Sequence, residues 1–310
     1  MMFAVAVYSA ENPIGILARN APLPQCIGFA EEHMELRGRN VIVTGANTGI
    51  GRVTAVELAK GGAHVVLACR SEERTRPVLD EIQQAGGRAE FLRLDLADLD
   101  SVRASASTFL ERDLPLSVLV NNAGLAGAHG TTKDGFEVAF GTNHVGPYLF
   151  TRLLMPALER AGDARVVHVS SHGHYRAPGI DWDAVRKPTA TTTGFPEYCV
   201  SKLANVLFAN ELARRASSRV RSYSLHPGGV ASDVWREVPW GLRHFMKLFM
   251  LTNEQGARTT LYCATSDEVD DKTGRYYEKC AVRTASKLAL DEALACELWE
   301  KSASWTGLAA

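Results

Sequence analysis

No stretch of 18 or more uncharged apolar residues occurs in the 310-residue chain, so a membrane-spanning helix is not expected. Blocks of like charge are also missing. With 34 basic and 35 acidic residues the formal net charge is -1, which gives no electrostatic argument for nucleic acid or an anionic membrane surface. The six cysteines (Cys26, Cys69, Cys199, Cys263, Cys280, Cys296) show neither a CxxC pair nor zinc-type spacing. Their scatter through apolar runs predicts buried reduced thiols and a cytoplasmic location. A hydrolase is disfavoured because no nucleophile elbow appears. The opening Met2–Val7 run is too short for a secretory signal and lacks a basic leader. With three prolines and no period before residue 34, residues 1–36 read as a poorly ordered extension. A start assigned too early, with Met34-Glu35-Leu36 as the natural beginning, fits equally.

What is present is a regular alternation. Short β-branched runs (Val41–Thr44, Val65–Ala68, Phe91–Leu94, Val118–Val120, Val166–Val169, Val220–Leu225) are separated by longer helical stretches. Continuous apolar strands spaced by helices predict an α/β fold. The expected form is a single doubly wound parallel sheet, a Rossmann fold with helices on both faces, occupying residues 37–310 as one domain.

The first run is followed by Thr44-Gly45-Ala46-Asn47-Thr48-Gly49-Ile50-Gly51 and then a helical pattern. Glycines there let the backbone turn sharply and approach a pyrophosphate, and the helix start supplies N–H groups and positive dipole. At the end of the second strand, Cys69 stands where an acid would meet a ribose diol, and Arg70 follows. The missing carboxylate and the guanidinium favour NADP over NAD, the competing reading being an arginine that merely faces solvent.

Tyr198 and Lys202 are four residues apart at the head of a helical run, hence on one helix face. An ammonium beside a phenol favours the phenolate, so the tyrosine is expected to titrate below its ordinary value and to act as proton donor and acceptor. Ser171 ends the fifth strand at the sheet edge where such folds place ligands, and can hold a substrate oxygen facing the tyrosine. Asn143 precedes Pro147 by four residues, and proline cannot donate to its carbonyl. That carbonyl is expected to be free, in a turn loosened by Gly146, and to hold a water relaying protons towards Lys202.

The combination resembles the classical short-chain dehydrogenase/reductase family over residues 38 to about 280. The resemblance assigns catalytic roles to Asn143, Ser171, Tyr198 and Lys202. It assigns cofactor contacts to Gly45, Asn47, Thr48, Gly49, Ile50, Gly51, Arg70, Asp95, Leu96, Asn122, Ala123, Gly124, Tyr198, Lys202, Pro227, Gly228, Val230 and Ser232. Asp95 is implied to meet the adenine, and Asn121-Asn122-Ala123-Gly124 matches a family motif. Within the family the chain is most similar to the retinol dehydrogenase-like group. That rests on Leu67-Ala68-Cys69-Arg70, Asn143-His144-Val145-Gly146-Pro147, the run Tyr198–Phe208 and the 27-residue interval from Ser171 to Tyr198.

Trp240–Leu251 is amphipathic and aromatic-rich. Its place after the nicotinamide turn favours a substrate lid, here bounded at 232–251, over an interfacial membrane helix. Thr252-Asn253-Glu254-Gln255 predicts a capping box. His168, His172 and His174 cluster in sequence with no carboxylate or cysteine at useful spacing, so no metal is expected. The expected protein is an NADPH-preferring oxidoreductase acting on a lipophilic aldehyde, ketone or alcohol, and a homodimer is compatible with it. The alternative is a non-catalytic NADP-binding sensor or scaffold, which would need neither Tyr198 nor Ser171.

Overall fold

The computed structural model describes residues 35–229 and 251–310. The 1–34 part of the extension, Val230, Ser232 and all of the lid segment but Leu251 lie outside these described residues. Eight strands form one sheet in the order β3-β2-β1-β4-β5-β6-β7-β8. They are β1 (Asn40–Thr44), β2 (His64–Cys69), β3 (Arg88–Arg93), β4 (Val118–Asn121), β5 (Ala164–Val169), β6 (Val220–His226), β7 (Tyr276–Glu278) and β8 (Ala281–Arg283). All pairings through β7 are parallel; β8 returns antiparallel at the edge. The sequence reading anticipated six strands and missed the last two. It also placed the third strand three residues late. As an edge strand, β3 buries only Leu92 fully, so its apolar signal is weak.

The helices are α1 (Gly49–Lys60), α2 (Glu72–Gln84), α3 (Leu99–Leu110), α4 (Gly146–Ala161), α5 (Phe195–Arg215), α6 (Asn253–Thr265) and α7 (Glu292–Thr306). Strand alternation assigns them to two cores. Val41, Val43, Val65 and Leu67 point to one face and pack with α1, α2 and α6. Ile42, Val66 and Leu119 point to the other and pack with α3, α4, α5 and α7. Burying each such side chain stabilises the fold by roughly 1.5–3 kcal/mol, so a one-residue register slip, which exchanges the two sets, is strongly disfavoured. Asp98 caps α3, accepting from the Asp100 and Ser101 amides, and Asp291 caps α7, accepting from Leu294 N. The expected capping box opens α6. Thr252 accepts from Gln255 N at 3.2 Å, and the Gln255 side chain accepts from Thr252 N at 3.0 Å.

The sheet order reverses at β1, which lies between β2 and β4. Beyond the carboxyl ends of β1 and β4 a crevice opens, the position at which doubly wound sheets bind ligands. No helix among the described residues is long and apolar enough to cross a membrane.

Candidate active site

A cleft of about 580 Å³ runs along that carboxyl edge. One end is built from the turn after β1. Gly45 takes φ +67°, where a Cβ would crowd Ala123 at 3.0 Å, and a Cβ at Gly51 would overlap the Asn122 amide and the Gly45 carbonyl. Only glycine permits this approach. The Thr44 hydroxyl accepts from the amides of Asn122 and Ala123, both at 3.0 Å, and Asn122 Nδ2 donates to the Thr44 carbonyl at 2.9 Å. The glycine turn and the Asn-Asn-Ala-Gly segment are thereby locked to each other. α1 begins at Gly49 with no acidic residue in its first turn, so its positive end meets no competing carboxylate.

Gly45, Asn47, Thr48, Gly49, Ile50, Gly51, Arg70, Asp95, Leu96, Asn122, Ala123, Gly124, Tyr198, Lys202, Pro227 and Gly228 all line this cleft, together with Ser171. Val230 and Ser232 are outside the described residues. The flanks of their segment are joined, since Leu251 N donates to Gly229 O at 2.8 Å. A glycine cradle facing a helix start, with two arginines at the far end, suits the phosphates of a dinucleotide. Arg74 is the second of these cations, in the first turn of α2, four residues beyond Arg70, and exposed in the same cleft. Sequence reading did not single it out.

The catalytic candidates converge at the other end. Tyr198 and Lys202 sit within the first three turns of α5, and both are nearly fully buried. Lys202 Nζ donates to the Val169 carbonyl at 2.9 Å and lies 5.6 Å from the Tyr198 ring centre. Ser171 Oγ accepts from Gly173 N at 3.1 Å and is hydrogen-bonded to the Tyr198 side chain.

Two expectations are corrected here. Burial pushes the Tyr198 phenol up to about 12, against a lowering contribution from the Ser171 hydroxyl, instead of titrating below its ordinary value. The same burial takes Lys202 down to about 8. Desolvation disfavours both charged forms, and at this separation it outweighs the attraction that spacing alone suggested. Second, the Asn143 carbonyl is not free. With its amide oriented as the neighbouring acceptors require, Asn205 donates to it at 2.7 Å and to the Ser201 carbonyl at 3.3 Å.

The backbone around Asn143 explains the exchange. Gly141–Val145 forms a π-helical turn in which Gly146 N reaches Gly141 O, so the missing proline donor is accommodated by a wider turn. Asn143 itself is 1% exposed. Its Oδ1 accepts from Leu125 N, and its Nδ2 donates to Leu125 O and to Ser201 Oγ, each at 2.9 Å. It braces the loop after β4 against α5, and a Cβ on Gly124 would lie 3.3 Å from both Asn143 Oδ1 and Lys202 Nζ.

His174 was considered only as a metal ligand from the sequence. It is fully buried, and its Nε2 accepts from Ser286 N at 3.2 Å. Nδ1 therefore carries the proton and donates to the Ser171 carbonyl at 2.7 Å, tying the serine to the C-terminal segment. His168 is buried in the helix-facing core beside Asn121 and Phe208. His172 faces a carboxylate that the spacing did not reveal: its Nε2 is 3.1 Å from Glu278 Oε2. The thiol expectation is also amended. Cys69, Cys199 and Cys263 are buried and free and Cys296 is half-buried and free, but Cys280 is disulfide-bonded.

Comparison with known proteins gives a consistent picture. A family model described as short chain dehydrogenase matches residues 39–182. The chain is 42% identical over 297 residues to Dehydrogenase/reductase SDR family member 13 of Bos taurus, covering 92% of this chain and 76% of that one. It is 41% identical over 290 residues to Retinol dehydrogenase 11 of Homo sapiens, covering 91% and 90%. Among solved structures, an uncharacterised protein from Mycobacterium paratuberculosis superposes with a TM-score of 0.74 at 32% identity, over 90% of this chain and 97% of that one.

Proposed function

The chain belongs to the short-chain dehydrogenase family as a retinol dehydrogenase-like oxidoreductase, and from that premise we propose an NADPH-preferring reductase of lipophilic aldehydes or ketones, working in reverse as an alcohol dehydrogenase. The catalytic domain is residues 37–310. The family binds NAD(P), which supplies or accepts the hydride when bound. The preference for the phosphorylated form is read from Arg70 and Arg74 at the cleft end where Cys69 replaces an acid. A lipophilic substrate is read from the retinol dehydrogenase relatives.

In this reading Ser171 holds the substrate oxygen. Its hydroxyl already accepts from Gly173 N, so its own proton is directed to the Tyr198 oxygen or to the substrate. Tyr198 donates the proton to the carbonyl oxygen as the hydride arrives at carbon. Lys202, cationic below about pH 8, stabilises the phenolate left behind. Asn143 holds the start of α5 and the loop after β4 at a fixed separation, and His174 fixes Ser171 from the opposite side.

The observation that carries the reading is the buried Tyr198 phenol hydrogen-bonded to Ser171 with Lys202 one turn behind it. Raised to about 12, the phenol is protonated throughout the neutral range, ready for the reductive direction. No observation favours the sensor alternative. The test is NADPH consumption against a panel of aldehydes and ketones by wild type and Tyr198→Phe. Turnover by wild type and its loss in the variant support the reading; equal turnover by both refutes it.

A further inference from the structure

Outside the hydride-transfer machinery, one cluster of ligand-type side chains is assembled from three separate parts of the fold. His172 lies on the turn following Ser171, His226 ends β6, and Glu278 ends β7. Parallel pairing places His226 opposite Glu278 in register, so the sheet itself fixes two of the three. One ligand atom from each residue lies within 4.8 Å of the others. The pairing of His172 Nε2 with Glu278 Oε2 at 3.1 Å is already at the spacing of neighbouring metal ligands. His226 is 9% exposed, and its Nδ1 has no hydrogen-bond partner. A buried imidazole nitrogen left unsatisfied is costly unless something meets it.

We propose that His172, His226 and Glu278 form a zinc site, of which His226 also lines the cleft. Two imidazoles and a carboxylate match the N/O donor set that Zn²⁺ accepts at about 2.0–2.2 Å, and three protein ligands leave a fourth position for water. Tetrahedral ligands at those bond lengths are about 3.4 Å apart, so separations of up to 4.8 Å must close by up to about 1.4 Å. His172 supplies that movement. Its ring is stacked on His226 at a centroid distance of 3.9 Å, and parallel rings cannot both direct a lone pair at one ion. Its side chain is half-exposed, whereas Glu278 and His226 are held by the sheet. Metal-free, His172 pairs with Glu278; on binding, it rotates off His226 and all three donors converge. The proposal is independent of the hydride-transfer reading, since neither His172 nor Glu278 touches the reacting groups.

The test is titration of the chelator-washed full chain with zinc chloride against a chromophoric chelator, alongside His172→Asn, Glu278→Gln and the double variant. Wild type should take up one tightly bound equivalent and gain thermal stability. Each single substitution should weaken binding about tenfold or more, and the double variant should lose the tight equivalent while keeping the zinc-free melting temperature of wild type. Because Cys296 is a half-buried thiol, Cys296→Ser is the control and should bind as wild type does. No tight equivalent in wild type, unchanged affinity in the double variant, or loss only in Cys296→Ser would each overturn the assignment. Should no aldehyde be turned over, the activity reading fails while the titration still decides the zinc site.

Discussion

Replacing Arg70 and Arg74 with glutamine tests the cofactor preference at the point where it is read. Both guanidinium groups are exposed, so each contact with a 2′-phosphate is weighted at the low end of the 1.5–3 kcal/mol range for charge-assisted hydrogen bonds, about 1.5 kcal/mol. That is roughly tenfold in affinity per arginine. The two cations would share one dianion, so their losses overlap and the double variant should fall by about 30-fold, short of the roughly 100-fold product. NADH carries no 2′-phosphate and should bind the variants as well as it binds wild type. The assay is quenching of intrinsic tryptophan fluorescence by each cofactor at two ionic strengths. Raising salt from 50 to 200 mM shortens the Debye length from roughly 14 to 7 Å, so NADPH affinity for wild type should drop and the double variant should lose that sensitivity. Parallel losses for NADPH and NADH would show that the arginines only shape the cleft. Unchanged NADPH affinity would mean that Arg70 faces solvent.

Tyr198→Phe should lower kcat by about 10²–10⁴ and leave the NADPH dissociation constant within twofold, roughly; kcat above a tenth of wild type removes the tyrosine from its role. Reductive kcat should decline as pH rises through about 8, where Lys202 loses its charge, and Lys202→Arg should shift that decline to higher pH; a wild-type profile flat to pH 10 contradicts the lysine's part. Burial takes His144 and His168 to about 3. The unfolded chain, with both histidines near 6.5, binds protons first, so their stabilising contribution is complete above pH 6.5 and falls by about 1.4 kcal/mol per histidine per pH unit below it. The melting temperature should therefore drop by several degrees between pH 7 and 5, and a His168→Asn variant should show a shallower drop; identical slopes would falsify the linkage. Gly146→Ala would drive a Cβ into the Leu96 carbonyl. About 1–3 kcal/mol of stability should be lost, together with cofactor affinity, because Leu96 lines the cleft; calorimetry and the same quenching assay check both.

The limits of the sequence reading follow from which interactions are local. The glycine turn, the first six strands and the Tyr198–Lys202 pair are specified within about ten residues of chain, so periodicity and spacing reveal them. The last hairpin gives no such signal. β7 and β8 are three residues each, and the turn between them places Lys279 and Cys280 at φ +54° and +57° with neither glycine nor asparagine to mark it. Everything that depends on that hairpin was equally invisible: Glu278 facing His172, the Thr284 carbonyl accepting from Tyr175, and Ser286 fixing the His174 tautomer. The ionisation of the catalytic pair failed for a different reason. Spacing reports that Lys202 lies near Tyr198, but their charges are decided by how much water the surrounding core removes. That core is assembled from β5, α4 and α5, and its contacts reach across tens of residues, 33 between Lys202 and Val169. A sequence motif therefore predicts which groups meet, and the depth of the core behind them decides which of those groups is charged when substrate arrives.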